Sequence, residues 1–176
     1  MGFRRFGAVA FLAAAMPGFM GSIAAHAAKD SPTVTSGLPI PRYVSLKSDH
    51  VNVRAGPTKD NDVAWIYTRA GLPVEITAEF ENWRRVRDSE GSEGWVYHSM
   101  LSGRRTAVVT MKSKDGLAPL YDRADPSSAI AARLQVGVVT QVKKCSNGWC
   151  RVTGNGFDGW IEQQRLWGVY EGEKLE

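Results

Sequence analysis

Asn82-Trp83-Arg84-Arg85-Val86 and Gly148-Trp149-Cys150-Arg151-Val152 are two versions of one segment, and the residues around them repeat as well. Gly71 lies 12 residues before Trp83, and Gly137 lies 12 before Trp149. Downstream come Gly94-Trp95-Val96, with its tryptophan 12 residues after Trp83, and Gly159-Trp160-Ile161, with its tryptophan 11 after Trp149. A leucine closes each series 6 residues later, Leu101 in one copy and Leu166 in the other. So many matched positions at nearly fixed spacing mark an internal duplication. The units run over residues 43–103 and 107–170, and the short join between them leaves little room for independent movement.

Within each unit the pattern is that of strands. Val51-Asn52-Val53-Arg54 and Val74-Glu75-Ile76-Thr77 alternate apolar with polar residues, the period of a half-buried strand, and each is bounded by Gly, Pro, Asp or Asn. Turn signals recur too closely for a long amphipathic helix. The expected fold is all-β, two tandem small barrels, since closing a short strand meander on itself removes most exposed edges. The polar stretches at 88–93 and 154–158 read as the turn between the last two long strands of each unit. The one-residue difference in tryptophan spacing falls in that loop, where an insertion costs least.

The two ends of the chain read differently. Arg4 and Arg5 precede an apolar run, Phe6 to Met16, and Ala25-His26-Ala27 fits the small-residue rule of a signal peptidase site. Residues 1–27 are expected to be a cleaved signal peptide rather than an anchor, because Pro17, Gly18 and Gly21 interrupt the run before it reaches the ~20 residues a membrane span needs. Residues 28–42, with Pro32, Pro39 and Pro41, read as a flexible leader, and residues 171–176 as a polar tail. The expected location is the periplasm or the cell exterior, with no transmembrane anchor left after cleavage. The formal net charge is +4, and loss of Arg4 and Arg5 brings it closer to balance. That argues against a nucleic-acid partner, whose binders carry a basic face or stripe.

The chain has two cysteines, Cys145 and Cys150, on either side of Asn147-Gly148, a strong tight-turn signal between strands. Facing strands would hold the sulfurs together, and an oxidising compartment would let them pair. A zinc site or a nucleophilic thiol is the alternative, but no further cysteine exists and His50 and His98 are remote in sequence. A structural disulfide is expected, together with no metal and no cofactor.

Val51-Asn52-Val53-Arg54-Ala55-Gly56-Pro57, followed by Gly71, Asn82-Trp83, Gly94-Trp95-Val96 and Leu101, resembles the bacterial SH3-type domain along its whole length. The second unit resembles a divergent partner of the same family. Its opening, Gly116-Leu117-Ala118-Pro119-Leu120-Tyr121, departs from the Asn-Val-Arg pattern. The resemblance, taken with export, implies noncovalent binding of peptidoglycan or another cell-envelope component. The alternative is an interaction subunit of an envelope complex that makes no glycan contact.

Candidate ligand residues follow from the motif and from asymmetry between the units. Asn52 and Arg54 lie in the opening motif. Trp65 and Tyr97 have no aromatic counterpart in the second unit, where Ala131 and Glu162 fall. Trp83 is either a platform for sugars or peptides, or core. Recurrence of Trp83, Trp95, Trp149 and Trp160 favours a packing role for at least the buried member of each pair. No catalytic residues are expected. Asp49-His50 and His98-Ser99 are adjacent in sequence, which is not the geometry of a nucleophile and its base, and once both units are assigned no stretch remains that is long enough for a catalytic domain.

Overall fold

A computed structural model describes residues 36–110 and 116–176. The expected signal peptide and most of the leader lie outside the described residues. The chain forms two antiparallel seven-stranded sheets. The first contains β1 (Arg42–Leu46), β2 (Val51–Arg54), β3 (Val63–Tyr67), β4 (Pro73–Phe80), β5 (Trp83–Arg87), β6 (Glu93–Tyr97) and β7 (Leu101–Ser102). The second contains β8 (Thr106–Val109), β9 (Leu117–Tyr121), β10 (Ile130–Gln135), β11 (Val139–Ser146), β12 (Trp149–Gly154), β13 (Phe157–Glu162) and β14 (Leu166–Trp167). Strand order is β3-β2-β6-β5-β4-β1-β7 in one and β10-β9-β13-β12-β11-β8-β14 in the other, the same path followed twice. The duplication read from the tryptophans is therefore a duplication of topology. Among the described residues no helix is long and apolar enough to cross a membrane.

Each sheet has its own aliphatic core. Leu46, Val51, Val53, Val74, Ile76, Val86 and Val96 fill the first. Ala107, Val109, Leu120, Val142, Val152, Ile161 and Leu166 are among those that fill the second. The matched tryptophans stand outside both cores. Trp83 shares a strand face with the exposed Arg85 and Arg87, and Trp149 with the exposed Arg151, while Val86 and Val152 point inward. Trp95 and Trp160 likewise share a face with Tyr97 and Glu162, while Val96 and Ile161 are buried. Of the four rings Trp83 is the buried one, and Trp95, Trp149 and Trp160 are half-buried. The interior of so small a sheet is filled mostly by aliphatic side chains, and the four repeated indoles lie on its outer face. Trp83 is buried at 8 % exposure, with the Tyr97 ring packed against it.

The glycine before each second tryptophan has a steric cause. A Cβ on Gly94 would lie 2.4 Å from Val53 Cγ1 and 3.2 Å from the Arg54 carbonyl oxygen. On Gly159 it would lie 2.8 Å from both Leu120 Cγ and the Tyr121 carbonyl oxygen. The crossing strand, β2 or β9, passes so close that only glycine fits. Between β11 and β12, Asn147 and Gly148 both have positive φ, 51° and 79°, as a two-residue type I′ hairpin turn requires. That turn sets Cys145 opposite Cys150, with Cα atoms 4.1 Å apart and the sulfurs bonded.

Residues 36–42 of the expected leader and residues 171–176 of the expected polar tail both bond to the sheets. Ser36 donates from its amide and its hydroxyl to Glu79, at 2.6 and 2.7 Å, and Arg42 reaches the same carboxylate at 2.5 Å. At the other end Leu175 and Cys145 exchange backbone hydrogen bonds of 2.9 and 3.0 Å, and Arg105 pairs with Glu173 at 2.7 Å. Residues 36–42 and 171–176 are each anchored because buried polar groups of the adjoining sheet need partners.

The sheets also touch each other. Tyr43 of β1 packs between Trp167, centroids 5.0 Å apart, and Tyr170, 4.6 Å apart. The Tyr170 hydroxyl donates to Glu75 at 2.9 Å, and Arg69 donates to the Gly137 carbonyl at 3.1 Å.

Candidate functional site

The opening motif places its alternate residues on the outer face of β2. Val51 and Val53 are buried, Asn52 is exposed and Arg54 is half-buried. The chain then turns through Gly56-Pro57, and Asn61 stiffens that loop. Its Nδ2 donates to Thr58 at 2.7 Å, and its carbonyl accepts Arg54 Nη1 at 2.6 Å. Arg54 is thus held by one nitrogen and keeps donors to spare.

Beside it, β5 and β6 set Trp83 directly opposite Tyr97. The rings meet edge to face, 5.4 Å apart at 81°, the geometry preferred by aromatic quadrupoles. His50, Asn52, Arg54, Lys59, Trp83, Tyr97 and Met100 together line a groove of about 210 Å³. None of these is acidic, and neither Arg54 nor Lys59 enters an ion pair among the described residues. The groove offers a guanidinium, an ammonium, an amide and two aromatic rings. That combination suits a ligand with a carboxylate and an apolar or sugar face.

Four of the five residues singled out in the sequence, Asn52, Arg54, Trp83 and Tyr97, are brought together here. Trp65 is not. It packs against the first core and edge-on against Tyr67, at 6.1 Å, and lines a separate hollow with Tyr67, Leu72, Pro73 and Asp88. In that hollow the Tyr67 hydroxyl donates to Asp88 at 3.0 Å, and burial followed by the Asp88 charge raises the phenol's pKa. Reading the sequence missed His50, Lys59 and Met100. His50 was available from the same period-two alternation that links Asn52 to Arg54. Lys59 and Met100 come from a loop and a short 3-10 turn, where no periodicity points.

In the second sheet the equivalent positions follow from register. Arg54 lies opposite Trp95, and Tyr121 lies opposite Trp160, so Tyr121 takes the place of Arg54 and Pro119 that of Asn52. Glu162, opposite Trp149, takes the place of Tyr97. The edge-to-face pair survives with its partner moved to another strand, since Tyr121 meets Trp149 at 5.6 Å and 81°. Trp65 pairs with Val53, and Ala132 pairs with Leu120, which puts Ala132 rather than Ala131 at the Trp65 position. Both sheets carry the same register shift here, and the difference comes from the connection to the next strand, since Gly71 lies 6 residues after Trp65 and Gly137 lies 5 after Ala132. Among the described residues no group of three His, Cys, Asp or Glu side chains is placed to hold a metal ion.

Residues 47–103 and 114–168 match a family model described as Bacterial SH3 domain. The two matches take in more than half of the chain, and the protein belongs to the bacterial SH3 domain family. Among solved structures it is similar to those of NlpC2 and NlpC1 from Trichomonas vaginalis, at 15% identity in both cases. The alignments cover 72% and 76% of this chain and 48% of each of the others, with TM-scores of 0.33 and 0.32. The chain spans about half the length of those structures. No curated protein matches it.

Proposed function

We propose that this is a non-catalytic, exported binding protein that holds peptidoglycan, or another cell-envelope component, in the groove of the first sheet. The observation that carries the reading is the unpaired positive charge of Arg54 and Lys59 beside the Trp83–Tyr97 pair. A wall peptide offers carboxylates to the guanidinium, and the adjoining sugar offers C–H faces to the half-buried Tyr97 ring, which Trp83 holds in place. Membership of the bacterial SH3 domain family supports a role at the envelope, and the Cys145–Cys150 disulfide supports a location outside the reducing cytoplasm. Affinity in such a shallow groove comes from several modest contacts, and a second module adds to it through effective concentration.

A pull-down with purified sacculi tests the reading. The protein is expected to sediment with the wall at micromolar concentration. Arg54→Ala and Tyr97→Ala are each expected to weaken retention about tenfold, as for loss of one charge-assisted or aromatic contact. Retention is also expected to fall with added salt. Failure to sediment, or retention indifferent to both substitutions, overturns it. Crosslinking to an envelope protein without sedimentation assigns the groove to a protein ligand instead.

A further inference from the structure

The second sheet carries a larger groove, about 640 Å³, which shares with the first only the wall built on the repeated tryptophan and the residue opposite it. Trp149 and Glu162 face each other there in the places of Trp83 and Tyr97. The charge is reversed. Its lining holds Glu162 and Glu171 and no basic residue, where the first groove holds Arg54 and Lys59 and no acidic one. Glu162 uses one oxygen for Arg165 Nε, at 2.5 Å, and Glu171 is exposed and in no ion pair among the described residues.

The walls of this groove are fixed. Tyr121 packs against Trp149 and holds the half-exposed indole in place. Gln163, only 6 % exposed, donates through Nε2 to the carbonyls of Tyr170 and Glu173 at 2.8 and 3.0 Å. Its Oε1 accepts the Gly172 amide at 3.1 Å. Those three bonds, with the Arg105–Glu173 pair, turn the end of the chain into one side of the groove. Residues 170–173 are thus part of a preformed cleft, and a preformed cleft binds at a smaller ordering cost.

We infer that the groove of the second sheet is a binding site for an alkylammonium group, as carried by a lysine-like side chain or the free amino end of a peptide. The ammonium sits between the carboxylates of Glu162 and Glu171, and its methylenes lie on the indole of Trp149, where the ring quadrupole also attracts the cation. A carboxylate ligand is repelled here. The site shares no residue with the first groove, so it stands whether or not that groove binds the wall.

The test is an NMR titration of the isotope-labelled full chain with Nα-acetyl-lysine methylamide. The same compound acetylated on its side-chain amine serves as the neutral control. The Trp149 indole N–H and the amides of Gly148 and Gly172 are expected to shift and saturate with the cationic probe and to stay still with the neutral one. Glu171→Gln, at an exposed position, is expected to leave the spectrum dispersed and to weaken binding about three- to fivefold, the size of one partly exposed charge contact. Glu162→Gln is expected to act in the same direction. Equal shifts with both probes, no shifts at millimolar probe, or binding unchanged in both variants overturns the assignment.

Discussion

Glu79 and Arg84 face each other across β4 and β5, with Arg84 Nε 3.2 Å from Glu79 Oε1, in the place where the second sheet has its Cys145–Cys150 disulfide. The equivalence is fixed by the hairpin turns. Glu81 precedes Asn82-Trp83 with φ of 48°, just as Asn147 precedes Gly148-Trp149 with φ of 51°. One site at the end of each core is therefore closed twice by different chemistry, an ion pair in one copy and a covalent bond in the other. Each site is also where a flanking segment docks, Ser36 on Glu79 and Leu175 on Cys145.

Acid is expected to loosen the first sheet before the second. Burial opposes ionisation of Glu79, but hydrogen bonds from Ser36 and Arg42 and the charge of Arg84 outweigh it and hold the carboxyl at about 2. Its folded value lies below its ordinary one of 4.5, so its contribution to stability is complete above that pH and is lost as pH falls toward 2. Glu79→Gln leaves two guanidinium groups without their carboxylate and is expected to cost about 3 kcal/mol at neutral pH. It also flattens the acid limb of the stability curve. Denaturant melts of both proteins between neutral and acid pH check the difference, and parallel curves refute the assignment.

Reduction is expected to act on the second sheet alone. A bridge that spans 5 residues closes a small loop, and the chain-entropy relation gives it about 2 kcal/mol. Loss of the bond exposes the β11–β12 end and frees Leu175. Hydrogen exchange with and without reductant reads this directly: protection falls in β11, β12 and the last residues and stays unchanged in β4 and β5. An unchanged exchange pattern throughout, with unchanged melting, goes against it.

Gly94→Ala and Gly159→Ala test why both copies have glycine before the second tryptophan. The added methyl meets Val53 and the Arg54 carbonyl in one copy, and Leu120 and the Tyr121 carbonyl in the other. Backbone cannot yield as a flexible side chain does, so each substitution is expected to cost about 2 to 3 kcal/mol. Gly91→Ala meets no atom within 4 Å but sits at φ 90°. It is therefore expected to cost only about 1 kcal/mol. Thermal melts of the three variants rank the effects, and equal shifts for Gly94 and Gly91 remove the steric explanation.

Glycines and tryptophans were enough to read the duplicated strand path, because a repeat of spacing is a repeat of backbone. They did not show which face of a strand is inside. Alternation groups Trp83 with Arg85, and Arg84 with Val86, without saying which pair the core accepts. The structure buries the valine, and at the sheet's end it buries Arg84 only because Glu79 is there to pair with it. Trp65 and Tyr97 looked alike as unmatched aromatics. What separates them is which side of its strand each occupies, and that is set by cross-strand pairing, Trp65 with the buried Val53 and Tyr97 with Trp83, which no local pattern announces. The anchoring of residues 36–42 and 171–176 was hidden for a related reason, since their partners lie far off in sequence.

The contact between the sheets gives the last prediction. Glu75 is 3 % exposed, and its carboxylate is held by Arg87 of its own sheet and by the Tyr170 hydroxyl of the other. Burial, then the hydrogen bond to Glu75, raises the Tyr170 phenol. Burial, then the Glu75 charge, pushes Tyr43 up to about 12. A phenol whose folded pKa lies above its ordinary 10.0 adds stability that is complete below that pH and is lost as pH rises through the folded value. With Tyr67 also raised, three of the chain's 5 tyrosines are expected to resist ionisation until the fold opens. The tyrosinate absorbance should therefore rise late and together with unfolding. Tyr170→Phe removes one donor from a buried carboxylate and is expected to cost about 1 to 3 kcal/mol while leaving each sheet's own hydrogen bonds intact. Amide exchange in β1, β4 and β8 should then quicken at the facing surfaces only. A variant as stable as the parent, with an unaltered alkaline titration, shows that the sheets are held by the edge-to-face rings of Tyr43 and Trp167 and not by the Tyr170–Glu75 hydrogen bond.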